Sequence, residues 1–213
     1  MSRRAVLFGA IALALAGCGE DADTSGTEVS DFDVDSALLD RHVPATAVVP
    51  DDAPESNRSM LVFLHGRSND NRGNLDPELF DTIRALGDRA PVIVFPDGEK
   101  DKYWHDRASG RWGSYVLDEV IPQAAKRFDV DPKRVAIGGI SMGGFGALDI
   151  ASRSKRRFCA AGGHSPALWR SAGETAPGAF DNAGDFARQR RDRQCRPAHA
   201  PARLARRRDG RSV

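Results

Sequence analysis

The chain has few cysteines, and their surroundings do not favour a protein held together by disulfides. Of the three, Cys18 ends an apolar N-terminal stretch, Cys159 lies in an apolar run and Cys195 lies in an arginine-rich tail. If Cys18 is modified, only Cys159 and Cys195 remain to pair, and their different surroundings favour no disulfide. The chain also lacks internal repeats, which excludes a repeat architecture.

Long apolar segments are absent except at the N-terminus, where the run is too short for a mature membrane-spanning helix. Residues 5–16 are apolar, follow Arg3 and Arg4, and lead into small residues before Cys18. This three-part layout is typical of an export signal. The ending "LAGC" resembles the lipobox of bacterial lipoproteins. We therefore predict a lipidated Cys18 and a protein that is exported, either anchored at the outer face of the cell membrane or secreted.

Charge is unevenly distributed, although the net charge is only +1. Residues 19–35 are acidic with scattered apolar residues, a composition that predicts a flexible tether. Residues 188–213 contain ten arginines against two aspartates and no aromatic residue, which predicts a disordered or non-native tail. The folded domain is therefore expected within residues 36–187.

Apolar runs alternate with amphipathic stretches inside this domain. Strands are predicted at residues 59–65, 91–96, 133–140 and 156–165, with one or two edge strands within residues 36–50. Helices are predicted at residues 76–88, 112–130 and 142–153, the second with a kink or break at Pro122. Continuous apolar strands are typical of a sheet covered on both faces. The alternation predicts an α/β fold with a mostly parallel sheet.

The stretch "GGISMGGFG" breaks the preferences of both helices and strands around one hydroxyl. Ser141 lies in Gly139-Ile140-Ser141-Met142-Gly143, a G-x-S-x-G pattern between a predicted strand and a predicted helix. In that context the pattern predicts a nucleophile elbow, a turn so sharp that glycines must flank the serine. The alternative is a glycine-rich turn that only packs against the sheet. The flanking strand and helix favour the elbow, with Ser141 as nucleophile.

The loop after the first buried strand, "FLHGRSNDN", is predicted to complete an oxyanion hole. In this architecture one N–H comes from that loop and another from the residue after the nucleophile. These positions are Arg67 and Met142, each acting through its main chain. His65 precedes Ser141 by a whole crossover unit, so we predict that it bridges loops and is not the general base.

The run "LVFLHGR … VIVFPDG … YWHD … GGISMGGFGALDIA … GGHSPALW" resembles the esterase D and mycolyltransferase-type branch of the α/β-hydrolases. The resemblance implies the α/β-hydrolase fold, Ser141 as nucleophile with Arg67 and Met142 as oxyanion donors, an ester or thioester substrate, and no metal or organic cofactor. It also implies that the loop containing "YWHD" lies over the site. The side chains expected to line the pocket are Trp104, His105, Trp112, Tyr115, His164 and Trp169.

The acid and base of a catalytic triad are difficult to find in this chain. A serine nucleophile needs a base oriented by a carboxylate, and α/β-hydrolases supply them in the order Ser, Asp or Glu, His. After Ser141 only His164 and His199 are available. His164 comes too early for this order, and His199 lies in the arginine-rich tail. Asp181 and Asp185 precede the strand expected to carry the acid, so neither fits well.

Two interpretations of the tail remain open. It is either a basic arm for nucleic acid or an anionic surface, or the product of a truncation or of a non-native reading frame. An exported protein has little use for a nucleic-acid arm, so we favour the second and expect no nucleic-acid partner. A domain without its last strands would leave the segment around Cys159 at an unprotected sheet edge.

The sequence thus predicts an exported serine esterase or acyltransferase that acts on a small-molecule or lipid-like ester through an acyl-enzyme on Ser141. The membrane is the expected second partner, through the lipid on Cys18. The activity would be lost if the triad Asp and His are absent. The alternative is a non-catalytic binding protein of the cell envelope that keeps the hydrolase pocket but not the triad.

Overall fold

The computed structural model describes residues 22–154 and 156–194 of the chain. The predictions for the export signal with Cys18, for His199 and for the tail beyond Gln194 lie outside these residues. In the part that is described, no helix has the length and apolar character needed to cross a bilayer.

The described residues alternate strands and helices. The strands are β1 (Thr27–Ser36), β2 (Arg41–Pro50), β3 (Arg58–Leu64), β4 (Val92–Pro96), β5 (Asp106–Arg107), β6 (Gly110–Arg111), β7 (Val130–Gly139) and β8 (Ala160–Ala161). The α-helices are α1 (Pro77–Leu86), α2 (Trp112–Ser114), α3 (Ile121–Arg127), α4 (Met142–Arg153) and α5 (Ala183–Gln194). Short 3₁₀ turns at Gly87–Arg89 and Ala172–Glu174, and a π-helix at Tyr115–Val120, complete the fold.

Among the described residues, six strands form one sheet in the order β1-β2-β4-β3-β7-β8. β3 pairs in parallel with β4 and β7, and β7 pairs in parallel with β8. β1 and β2 are added antiparallel beside β4. The predicted α/β class with a mostly parallel central sheet is therefore confirmed. The carboxyl ends of β3, β4 and β7 lie at one edge, which is where sites form in such sheets.

Strand β1 replaces much of the predicted tether, so that prediction for residues 19–35 is wrong from Thr27 onward. The strand pairs with β2 along its whole length. Its aspartates are exposed and alternate with apolar residues, which gives the period of two expected for a strand with one buried face. Val34 is fully buried, and the Phe32 ring meets Phe128 edge to face with 5.8 Å between centroids.

The helical stretch from α2 to α3 contains a π turn directly before the predicted break at Pro122. Proline has no N–H to continue the regular ladder, so the backbone pattern changes there. The Glu119 carboxylate lies in this turn, where it accepts hydrogen bonds from the Leu38 N–H, at 3.0 Å, and from the Ser36 hydroxyl. The π turn therefore ties this helical stretch to the connection between β1 and β2.

Two features at the C-terminal side differ from expectation. The predicted strand over residues 156–165 is reduced to the two exposed residues of β8. Helix α5 packs against α4 and continues across the boundary predicted between residues 187 and 188. Its first turns bury Asp185 and Phe186, which anchors the helix. The prediction of disorder is therefore wrong for residues 188–194, which are helical.

Different helices cover the two faces of the sheet. On one face, α1 packs Phe80 and Ile83 against β2 and β4. On the other, the helices from α2 to α4 enclose the larger core. Beside β8 the first face is less well covered, because Leu61 and Phe63 are only partly buried and border a cavity of about 320 Å³. An exposed edge at this position agrees with the expectation from the sequence.

Candidate active site

Ser141 stands in a sharp turn between the end of β7 and the start of α4. Its backbone has φ +52° and ψ −110°, a left-handed conformation that is costly for a residue with a β-carbon. The residue is exposed, whereas Met142 and the following glycines are buried. The strand–turn–helix context that the G-x-S-x-G pattern requires is therefore present.

The glycines on either side of Ser141 are required by close packing of main chains. A β-carbon on Gly143 would lie 1.8 Å from the carbonyl oxygen of Leu64 and 2.7 Å from that of His65. A β-carbon on Gly139 would lie 2.5 Å from the Gly143 carbonyl carbon. Since all of these neighbours are backbone atoms, no rotamer change relieves the overlap. The end of β3 is pressed directly against the turn.

Two main-chain N–H groups are available beside Ser141. Met142 is the first residue of α4, so its N–H has no partner within the helix. The Arg67 N–H donates to no carbonyl within the described residues. A β-carbon built on the preceding Gly66 would lie 3.8 Å from Ser141 Cβ, so this loop runs alongside the serine. The roles of Arg67 and Met142 as oxyanion donors stay predictions that this arrangement allows.

His65 is buried and bridges two loops through both ring nitrogens. Its Nδ1 lies 2.8 Å from the Gly66 carbonyl oxygen, and its Nε2 accepts the Gly98 N–H at 3.0 Å. The Asp97 carboxylate is 3.7 Å from Nε2, beyond hydrogen-bonding distance, so the Gly98 N–H is the partner. With both nitrogens engaged by the main chain, His65 has the scaffold position that the sequence predicts.

The Asp97 carboxylate is partly buried beside this histidine. Burial acts to raise the pKa of Asp97, but a hydrogen bond from the Glu99 N–H and the positive charge of Arg41 act in the opposite direction. The pKa of Asp97 therefore lies below its usual value. Asp97 also lines a cavity of about 520 Å³ between the loops of residues 68–70 and 97–101, for which the sequence carries no motif.

Most aromatic residues predicted to line a pocket lie instead in the core. Trp104 and His105 are 0% exposed and Trp112 is 2% exposed, so a substrate in solution has no access to them. His105 Nε2 lies 2.9 Å from the Ala179 carbonyl oxygen, and its ring packs on Phe180. These three pocket predictions are therefore wrong. Burial likewise raises the pKa of the Tyr115 hydroxyl and removes it from any pocket surface.

The other two predicted pocket residues lie on a segment that adjoins Ser141. The Ser141 N–H donates to the His164 carbonyl at 2.9 Å, and the Ala167 N–H donates to the Ser141 carbonyl at 3.0 Å. His164 is exposed. Trp169 is partly buried and packs against Phe145, with 5.8 Å between centroids. Within the described residues, the Ser141 hydroxyl makes no side-chain hydrogen bond.

The candidate acids have structural partners away from the serine. Asp181 accepts hydrogen bonds from the Ala108 N–H at 2.7 Å and from Arg107 Nε at 2.9 Å, and these bonds hold its pKa below the usual value. Asp185 is 1% exposed and accepts a hydrogen bond from the Asp181 N–H. The Asp181 carboxylate is thus bound to β5 and the turn that follows it, and the Asp185 carboxylate is bound to the segment just before α5. Within the described residues, no cluster of three or more His, Cys, Asp or Glu side chains is arranged to hold a metal ion.

Solved structures with a similar fold are distant in sequence. A ferulic acid esterase superposes with a TM-score of 0.56 at 24% identity, covering 62% of this chain and 55% of the other. Mycobacterium tuberculosis MPT51 superposes with a TM-score of 0.53 at 19% identity, covering 65% of this chain and 51% of the other. At these identities the likeness concerns the fold, and it confirms the predicted α/β-hydrolase architecture.

The sequence comparisons agree with this fold. The chain is 31% identical over 137 residues to an acetyl esterase of Caldicellulosiruptor saccharolyticus. The aligned region covers 58% of this chain and 50% of the relative, so the chain spans about half of the relative's length. Residues 36–200, most of the chain, match the family model described as "Putative esterase". The chain therefore belongs to this esterase family.

Proposed function

We propose that the protein is an exported serine esterase or acyltransferase that forms an acyl-enzyme on Ser141. The observation that carries the proposal is the exposed serine in a left-handed turn at the N-terminus of a 12-residue helix. Main-chain strain of this kind persists where the surroundings enforce it, and it concentrates at reactive residues. Membership of the esterase family supports the same reaction class.

In the proposed reaction, Ser141 Oγ attacks the carbonyl carbon of an ester or thioester. The C–O or C–S bond to the leaving group breaks as the tetrahedral intermediate collapses, and an acyl-serine remains. The negative charge on the carbonyl oxygen is stabilised by the Met142 and Arg67 N–H groups and by the N-terminal end of α4. Water or an alcohol then takes the acyl group and restores the serine hydroxyl.

The Oγ proton must pass to a base during attack and then to the leaving group. In α/β-hydrolases this base is a histidine that follows the nucleophile in the chain. His164 is held next to Ser141 by main-chain bonds, and His199 lies outside the described residues. Asp181 accepts the Ala108 N–H and Asp185 accepts the Asp181 N–H, and these hydrogen bonds argue against either carboxylate as the partner of that base.

Serine-directed chemistry tests the proposal. A fluorophosphonate probe should label the folded protein, and Ser141→Ala should abolish the label. Ser171→Ala is the matched control, because Ser171 is also exposed and its side chain caps no helix. That variant should label like the parent protein. A folded parent protein that resists the probe yet binds an ester analogue would refute catalysis and support the second hypothesis, a binding protein of the cell envelope.

A further inference from the structure

We propose that His65 is a positioning residue of the oxyanion hole, which holds the Gly66–Arg67 peptide group in place through its Nδ1–H. The inference rests on the proposed function, because it concerns the N–H assigned there to the oxyanion. It goes further by assigning a tautomer and a catalytic consequence to a histidine that does not touch the substrate.

The hydrogen bonds of His65 define its tautomer. The Gly98 N–H can only donate, and it lies 3.0 Å from Nε2, so Nε2 carries the lone pair. In a neutral imidazole the proton is then on Nδ1. Nδ1 lies 2.8 Å from the Gly66 carbonyl oxygen, which can only accept. The two contacts are therefore satisfied together by the neutral Nδ1–H form.

The hydrogen bond to the Gly66 carbonyl also orients the N–H of the next residue, Arg67. The Gly66 C=O and the Arg67 N–H belong to one planar trans peptide group, in which they point in opposite directions. Fixing the direction of the carbonyl therefore fixes the direction of the Arg67 N–H. Glycine at position 66 leaves the adjoining backbone torsions unusually free, so an external constraint has a large effect.

His65 is itself held firmly. It is 1% exposed, and its ring meets the Trp104 indole edge to face with 5.0 Å between centroids. Trp104 Nε1–H donates to the His65 carbonyl at 3.2 Å. The two carbonyls that precede the Arg67 N–H, those of His65 and Gly66, thus each accept a side-chain hydrogen bond.

The indole is wedged between two glycines that permit no β-carbon. A β-carbon on Gly98 would lie 2.3 Å from the Trp104 ring, and one on Gly146 would lie 2.2 Å from Trp104 Cβ. Trp104 adopts φ +57° in this position, a conformation that non-glycine residues rarely take. The Trp104 side chain thus contacts the loop after β4, the loop after β3 and helix α4, all of which adjoin the serine.

The test compares two substitutions of similar size. His65→Asn keeps an N–H donor near the Nδ1 position, whereas His65→Leu keeps the bulk and removes the donor. For fluorophosphonate labelling of Ser141, we expect His65→Leu to lower the maximal labelling rate about 100-fold, the usual effect of losing one oxyanion donor. The probe concentration for half-maximal rate should change little. His65→Asn should recover at least a tenth of the parent rate.

A purely structural role for His65 would give a different pattern. Equal losses in the Asn and Leu variants, or a Leu variant within threefold of the parent rate, would overturn the proposal. If the parent protein is not labelled, the proposed function is refuted. The inference about His65 is then tested separately, by measuring which ring nitrogen of His65 carries the proton. Nitrogen NMR of the parent protein should find His65 protonated on Nδ1 only. Protonation on Nε2 alone would refute the assignment whether or not the Leu variant folds.

Discussion

Replacing Gly143 with alanine tests whether the turn at Ser141 is held by contact between main chains. The added β-carbon would overlap the Leu64 carbonyl oxygen, which lies 1.8 Å from its ideal position. That oxygen also accepts the Ile140 N–H at 3.1 Å, so any shift that relieves the overlap weakens a hydrogen bond between β3 and the turn.

The expected loss follows from three opposing effects. Overpacking a rigid site costs about 1–3 kcal/mol, and a weakened hydrogen bond costs roughly 1 kcal/mol more. Alanine has a higher helix propensity than glycine, so the replacement within α4 also stabilises the folded state by about 1 kcal/mol. We therefore expect the free energy of unfolding to fall by about 2 kcal/mol, and labelling of Ser141 to fall with it because the turn is displaced.

Urea unfolding measures this loss, with Gly173→Ala as the control. Nothing lies within 4 Å of a β-carbon built on Gly173, so this change should be neutral or stabilising by up to about 1 kcal/mol. For a domain of this size, 2 kcal/mol lowers the midpoint by about 1 M urea. If the two alanine variants unfold at the same urea concentration, the backbone around Gly143 can accept a β-carbon and the expected overlap is refuted.

Two further predictions concern acid sensitivity and membrane attachment. Because the folded pKa of Asp97 is depressed, its carboxylate contributes stability above the ordinary aspartate pKa and loses it as the pH falls through the folded pKa. Urea unfolding between pH 7 and pH 3 should therefore show that the parent protein has a higher free energy of unfolding than Asp97→Asn, and that this difference becomes smaller on acidification. A difference that stays constant with pH would contradict the prediction. Cys18→Ser should abolish palmitate incorporation and release the protein from membranes, whereas Cys159→Ser, at an exposed cysteine, should do neither. Loss of the lipid in both variants, or in neither, would contradict an anchor at Cys18.

The elements that carry the serine could be predicted from sequence because local and global signals agree there. The apolar runs of β3, β4 and β7 have no polar face, so a sheet covered on both sides is the simplest arrangement for them. The glycines around Ser141 would be unfavourable in either a strand or a helix. Only a crowded turn between the two accounts for them, and the main-chain contacts at Gly143 supply that crowding.

Two signals conflict in strand β1, because its acidic composition predicts a tether whereas its alternation of polar and apolar residues predicts a strand. The pattern of Phe32 and Val34 between aspartates has the period of a strand, so the signal was present in the sequence. The pocket residues failed for another reason. Tyr103 and Trp104 both adopt positive φ, which no propensity predicts for large aromatic residues, and this bend helps to turn the indole inward.

The backbone at Ser141 bears on the choice between an enzyme and a binding protein. A serine at φ +52° carries strain on the order of 1–3 kcal/mol, and a glycine at the same position would adopt this turn without it. A surface that only holds an ester gains nothing from the strain, since the hydroxyl adds bulk where the ligand would lie. A nucleophile does gain, because the turn exposes its oxygen at the end of α4, where free N–H groups can stabilise the charge that attack creates. The strain therefore favours bond formation at Ser141 over simple binding.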